Sequence, residues 1–105
     1  MPALNQKDAE HYIVTRQEFT ASALSGKVEE YTPHSGRLDE KESAQLIADF
    51  KGFGGLYVVY SYGTPIAWHN NHGAWYLVSQ KFSVTTSKHQ NLIKRAIADS
   101  LAGVN

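Results

Sequence analysis

The fold is decided by the stretch LYVVYSYGTPIAWH, Leu56 to His69, and by the AWYLVS that follows at Ala74 to Ser79. Three runs rich in β-branched and aromatic residues, LYVVYSY, PIAWH and AWYLVS, are separated by the turn signals YGTP and NNHG. That alternation of strand formers with short turns predicts an antiparallel meander. Along the first run Leu56, Val58 and Tyr60 point to one side and Tyr57 and Val59 to the other, because successive strand residues alternate. A strand that is apolar on both faces belongs at the centre of a sheet or beneath two covering layers.

Working outward, Asp39 to Phe50 reads as a helix. Asp39 and Glu40 suit the positive end of the helix dipole, Ala44, Leu46, Ile47 and Phe50 form the apolar face, and KGFGG ends it. A second helix is predicted from Ser87 to Ala102, where Leu92, Ile93, Ala96, Ile97 and Leu101 recur at spacings of three and four and Gly103 ends the run. Near the start, HYIVTRQEF reads as a short strand through Tyr12, Ile13 and Val14 and then a turn of helix, with Thr15 and Glu18 at capping-box spacing. Between Gly26, Pro33 and Gly36 there is room for one more short strand, Lys27 to Tyr31. The expected architecture is α+β: a small antiparallel β-meander sheet packed with two main helices, about 39–50 and 87–102, in one domain spanning residues 1–105.

Hydrophobic residues make up 42% of the chain and aromatics 11%, enough to drive folding. There is no cysteine, which removes disulfides and thiolate metal sites. The longest apolar run, LYVVY, is far short of a bilayer span, so a soluble, cytoplasmic protein with no membrane association is expected. The zero formal charge hides a split. Residues 1–50 carry five Lys or Arg against nine Asp or Glu, whereas residues 51–105 carry five against one, and no acid occurs from Lys51 to Ala98. Such asymmetry fits an anionic partner, or two halves that interleave and cancel.

The basic half concentrates its candidates around KFSVTTSKHQNLIKRAI, Lys81 to Ile97. Ser87 and Gln90 match a capping box, although Thr85 or Thr86 can equally supply the cap. In any of these registers Lys88 sits in a first helical turn that favours acids. An anion held by Lys81, Ser83, Thr85, Thr86, Ser87 and Lys88, with Lys94 and Arg95 extending a basic stripe, would explain the mismatch. A solvated lysine at a cost of about 0.3–1 kcal/mol would explain it too. His89 lies on the same side as Leu92 and Ile93 and is expected to turn inward as a hydrogen-bonded core histidine.

Other chemistry finds little support. His69 and His72 in HNNHG lack the further ligands a zinc site needs, and a hairpin turn accounts for them; no metal and no cofactor are expected. KGFGG lacks the Gly-Lys-Ser/Thr ending of a phosphate loop. Ser87 and His89 do not face each other on one helix, there is no G-x-S-x-G elbow, and no catalytic residue is assigned. Tyr57, Tyr60, Tyr62, Trp68, Trp75, Tyr76 and Phe82 serve mainly as core, or else as a platform for stacking bases or for a protein interface.

YVVYSYGTPIAWH followed by FSVTTSKHQNLIKRAI resembles a group of small uncharacterised proteins of bacteriophages and plasmids, especially of actinobacteria, over roughly Tyr57 to Ile97. The resemblance implies an accessory product of a mobile element that acts by binding in the host cytoplasm, and it directs attention to Tyr62, Gly63, Thr64, Pro65 and Thr85 to Gln90. The leading expectation is a non-enzymatic protein that binds nucleic-acid backbone through the basic residues. The alternative is a modulator that binds a host or phage protein through the acidic first half or exposed aromatics, and the third reading is a small enzyme.

Overall fold

The computed structural model of the chain describes residues 6–103, and side chains within 8–100. Expectations for the first five residues and for the side chain of Leu101 lie outside the described residues. The order of elements is α1 (Gln6–Val14), β1 (Phe19–Ala21), β2 (Leu24–Glu29), α2 (Glu40–Phe53), β3 (Leu56–Ser61), β4 (Thr64–His69), β5 (Trp75–Leu77) and α3 (Val84–Gly103). The fold is α+β, with the five strands in one antiparallel sheet in sequence order.

Strand β3 is buried along its whole length, and the two faces its sequence implies are both covered. On one face Tyr57 and Val59 join Phe19, Leu24, Ile66 and Ala67 beneath Ala9 and Ile13 of α1 and Leu92 and Ile93 of α3. On the other, Leu56, Val58, Tyr60, Trp68 and Val78 meet Leu46 and Phe50 of α2. The β3–β4 hairpin turns through Tyr62 and Gly63, both with positive φ, as the two-residue turn favoured by strand twist requires. The register of β3 and β4 slips between Val59 and Tyr60: Val59 faces Ala67 but Tyr60 faces Pro65, leaving Ile66 as the extra residue. This bulge explains why Ile66 and Ala67 share one core, and it accommodates a proline within an interior strand.

Helix α2 runs from Glu40 to Phe53, three residues beyond the expected Phe50, and Asp39 stands outside it as the cap, its Oδ1 accepting the Glu42 N–H at 2.8 Å, while Gly54 closes the end in the left-handed conformation. Its inward face differs from expectation. Ala44 and Ile47 are exposed, and the buried positions are Glu42, Leu46 and Phe50. Glu42 is accommodated because Tyr76 donates its hydroxyl and Ser79 its N–H to the carboxylate.

The amino-terminal reading is corrected. Tyr12, Ile13 and Val14 lie in α1, since Ala9 and Ile13, one turn apart, bury a helical stripe that outweighs the strand preference of the short Ile-Val run. Thr15 and Glu18 form no capping box: Thr15 Oγ1 donates back to the His11 carbonyl at 2.7 Å, and Glu18 accepts the Val28 N–H at 2.9 Å. The strand expected at Lys27–Tyr31 starts earlier, at Leu24, where it pairs with β1 on one side and β3 on the other.

Gly26 in β2 is the tightest point of the sheet. A Cβ there would stand 2.3 Å from the Tyr57 hydroxyl and 2.6 Å from a Phe19 ring carbon. Gly26→Ala is therefore expected to destabilise the fold by about 1–3 kcal/mol through overpacking. Denaturant titration checks this, and an unchanged midpoint would mean that Tyr57 swings aside freely.

Candidate functional site

Helix α3 begins earlier than its sequence suggests, and that changes the meaning of its basic residues. Ser83 caps it: its Oγ accepts the Thr86 N–H at 3.2 Å and its carbonyl accepts the Ser87 N–H at 2.9 Å. Neither Ser87, Thr85 nor Thr86 is the cap, because all three are inside the helix. Lys88 accordingly falls in the second turn, where the dipole has largely faded, and the charge mismatch disappears.

Gln90 has a different task from the capping box expected of it. Its side-chain amide donates to the carbonyls of Val78 at 2.9 Å and Gln80 at 3.1 Å, pinning the segment after β5 against α3. Between segment and helix runs a groove of about 280 Å³ lined by Ser79, Gln80, Lys81, Ser87, Asn91 and Lys94 among others. Two cations 13 positions apart thus line one groove, and none of its lining residues is acidic. Lys88 is exposed beside Ser87.

The remaining predicted residues are placed elsewhere or already engaged. Thr86 is buried, Ser83 is the cap and Thr85 is exposed outside the groove lining. Arg95 Nη2 pairs with Glu10 Oε2 of α1 at 3.0 Å, so one of the acids of the first half neutralises it. The acid-bearing half also approaches at Asp39, whose N–H donates to Gln80 Oε1 at 2.8 Å. Acids of the first half thus meet the basic half at Arg95 and, through Glu42 and Asp39, at the groove residues Ser79 and Gln80, although no acid lines the groove itself.

His89 turns inward, at 1% exposure. Its Nδ1 lies 2.6 Å from Ser61 Oγ, which is itself 3.0 Å from Thr86 Oγ1, giving a buried polar chain that ties α3 to the end of β3. Ser61 lies 28 positions away, so helical spacing gave no hint of it. Both Ser61 and His89 are enclosed, and neither lines the groove, so the pair joins two elements of the core. Burial lowers the His89 pKa.

The aromatic cluster is mostly core. Tyr57, Tyr60 and Trp68 are buried, Trp68 stacks on Tyr76 at 4.9 Å and donates its indole N–H to Asp49 at 2.8 Å, and Tyr62 alone of the seven is exposed. Hydrogen bonding to Glu42 pushes the Tyr76 pKa up to about 12, and burial raises those of Tyr57 and Tyr60. With helices over both faces, the described residues leave no open sheet on which bases can stack. Among the described residues no three His, Asp or Glu side chains gather in a metal-binding group, and His72 packs edge-on against Phe53 in the hairpin turn. No helix among the described residues is long and apolar enough to cross a membrane.

The sequence model of one protein family matches residues 26–100. The chain belongs to the Family of unknown function (DUF8033). The DUF8033 match takes in the central strands and the groove, and it omits α1 and β1. No curated protein and no solved structure matches the chain.

The His89 environment carries a pH prediction. A histidine with a depressed folded pKa leaves the unfolded chain binding more protons below the ordinary value near 6.5, so its contribution to stability is complete above about pH 6.5 and declines as pH falls through the folded pKa. Denaturation between about pH 7.5 and 5.5 should show this loss, and His89→Gln should flatten it. His69, also depressed, supplies the residual slope. Equal slopes in wild type and variant would exclude His89 as the source.

Proposed function

We propose that the protein is a non-enzymatic accessory protein of a phage or other mobile element that holds nucleic-acid backbone in the groove between Lys81 and Lys94. The supporting observation is the convergence of Lys81, Ser87, Asn91 and Lys94 in a groove whose lining carries no acid, within a chain of zero formal charge. Phosphate oxygens need compact cations and neutral donors, and this lining offers both. Lys88 extends the contact at the rim. The mobile-element context rests on the resemblance of Tyr57 to Ile97, and the host cytoplasm follows from that context. Because no sheet face is open to stack bases, the contact is with backbone and indifferent to sequence.

Three lysines neutralise about three phosphates, which makes the binding weak and steeply salt-dependent. Fluorescence anisotropy of labelled single- and double-stranded oligonucleotides should show binding at about 50 mM salt that is largely lost by about 200 mM. Each lysine removed should lower the slope of log K against log salt by about 0.7–0.9. Replacing Lys81, Lys88 and Lys94 together by glutamate should abolish binding without unfolding the protein, since all three are exposed. No binding by wild type at low salt, or an unaltered slope in the variants, overturns the reading.

A second reading is favoured by one other surface. Tyr31 is 84% exposed and lines a cleft of about 400 Å³ with Lys27, Glu29, His34 and Tyr60, the composition of a site for a protein partner. On that reading the protein is a modulator of a host factor. A specific partner bound by wild type and lost on Tyr31→Ala or Glu29→Lys, with Lys81→Glu harmless, would replace the nucleic-acid reading.

A further inference from the structure

Arg16 occupies a position that folding alone would give to glycine. Helix α1 ends in the double-bonded cap in which the Gln17 N–H reaches the Tyr12 carbonyl at 2.8 Å and the Arg16 N–H reaches the Ile13 carbonyl at 3.1 Å. The residue at Arg16 must be left-handed, and its φ is +54°. A non-glycine residue there is held at a conformational cost, a pattern that points from the strained residue to a use for its side chain.

That side chain borders two cavities, of about 450 and 440 Å³, which share Arg16, His69 and Gly73 in their linings and so adjoin one another. Val14, Leu77 and Ile97 give the first an apolar wall, and Trp75 stands edge-on to His69 at 5.0 Å and to Tyr57 at 6.1 Å. The guanidinium donates from Nη1 to the Val14 carbonyl at 2.9 Å, which fixes its base and leaves its other donors outside any ion pair among the described residues. Glu18, whose charge acts with that of Arg16 on Tyr57, accepts the Val28 N–H and lines neither cavity. His69 is kept below its ordinary pKa by burial and by Arg16, so at neutral pH the cleft presents one positive charge and one neutral imidazole. Cleft size, apolar walls and a few convergent polar groups are the attributes of a small-molecule site.

We propose that the Arg16–His69 cleft binds a small organic anion, with its carboxylate or phosphate head on the Arg16 fork and His69 and its planar apolar body against Trp75. The site shares no lining residue with the Lys81–Lys94 groove and stands or falls separately from it. Arg16 also lies before the DUF8033 match, so the anion-binding group is supplied by the amino-terminal segment.

The test uses nitrogen-labelled protein, whose two tryptophans report on opposite faces of the sheet. Indole-3-acetate and phenyl phosphate are the probes, and the neutral indole-3-acetamide is the control. A saturable shift of the Trp75 indole N–H without one at Trp68 is expected with at least one anion, and the better of the two identifies the head group. The acetamide should bind about tenfold more weakly, the worth of one charge-assisted contact. Arg16→Gly should melt no lower than wild type, being freed of the left-handed arginine, yet lose binding about tenfold. Arg16→Asn, which also tolerates that backbone, should behave likewise, and Lys81→Glu with Lys94→Glu should leave the probes bound. Absence of a saturable Trp75 shift with either anion, equal binding of the acetamide, or retention in Arg16→Gly overturns the proposal.

Discussion

Strand β3 has to be kept from water on both sides at once. Leu56, Val58 and Tyr60 on one face and Tyr57 and Val59 on the other leave no polar face to turn outward. A sheet covered on one side would expose an apolar surface of the kind that promotes association. The chain answers by leaving the sheet between β2 and β3, laying α2 over one face and re-entering at the centre, while α1 and α3 close the other. Every later feature depends on this arrangement. Burying α2 brings Glu42 into the interior, where Tyr76 and Ser79 must satisfy it. Burying α3 brings in His89, which Ser61 meets. In both places a polar pair joins helix to sheet in a core that apolar contacts alone would leave free to slide.

The same constraint decides what the surface is able to do. Covering both sheet faces removes the base-stacking platform that the aromatic content suggests. The clefts proposed for anions lie instead at the seams where helices meet the sheet edge. The Lys81–Lys94 groove is one seam, created because Gln90 ties the segment after β5 to α3. The Arg16–His69 cleft is another, created where the end of α1 and the β4–β5 hairpin come together. Neither seam belongs to a single element, and a lining drawn from several elements cannot be read from the spacing within one.

How much of the fold was legible follows from this. The β3–β4 hairpin, the central place of β3 and the start of α2 are readable because each is fixed by local chemistry: a Tyr-Gly turn, alternation and acids at a helix start. Helix α1 was misread because Ile13 and Val14 favour strands, and only contact with α3 decides otherwise. Strand β1, three residues long, is too short for periodicity to register. The start of α3 was placed late because Val84, Thr85 and Thr86 are poor helix formers, and Ser83 offsets them as the cap. Of the candidate site, the acid-free run holding Lys81 and Lys94 is legible in the sequence, but their meeting in one groove is not, since it takes α3 and the segment after β5 together. The role of Arg95 was not, since its Glu10 partner lies 85 positions away. Arg16 carried no signal at all, because its peculiarity is a backbone angle.

Charge placement, finally, decides what kind of binding is open to this molecule. With ten cations and ten acids the chain exerts little net pull on a polyanion at a distance, and at physiological salt each cluster is felt only within about 8 Å. Electrostatic steering therefore contributes little, and an anion must reach a seam before it is held. Folding has also spent part of the basic half on the acidic one: Glu10 takes Arg95, and the capped end of α2 is bonded to Gln80 beside the groove. Of the cations outside an ion pair among the described residues, two lysines line one seam with a third at its rim, and an arginine borders the other. Sites of that kind select by shape and by the number of phosphates or carboxylates within reach. A long polyanion suits the open groove, where contacts repeat along a backbone, and a single small anion suits the walled cleft, where one guanidinium can satisfy it.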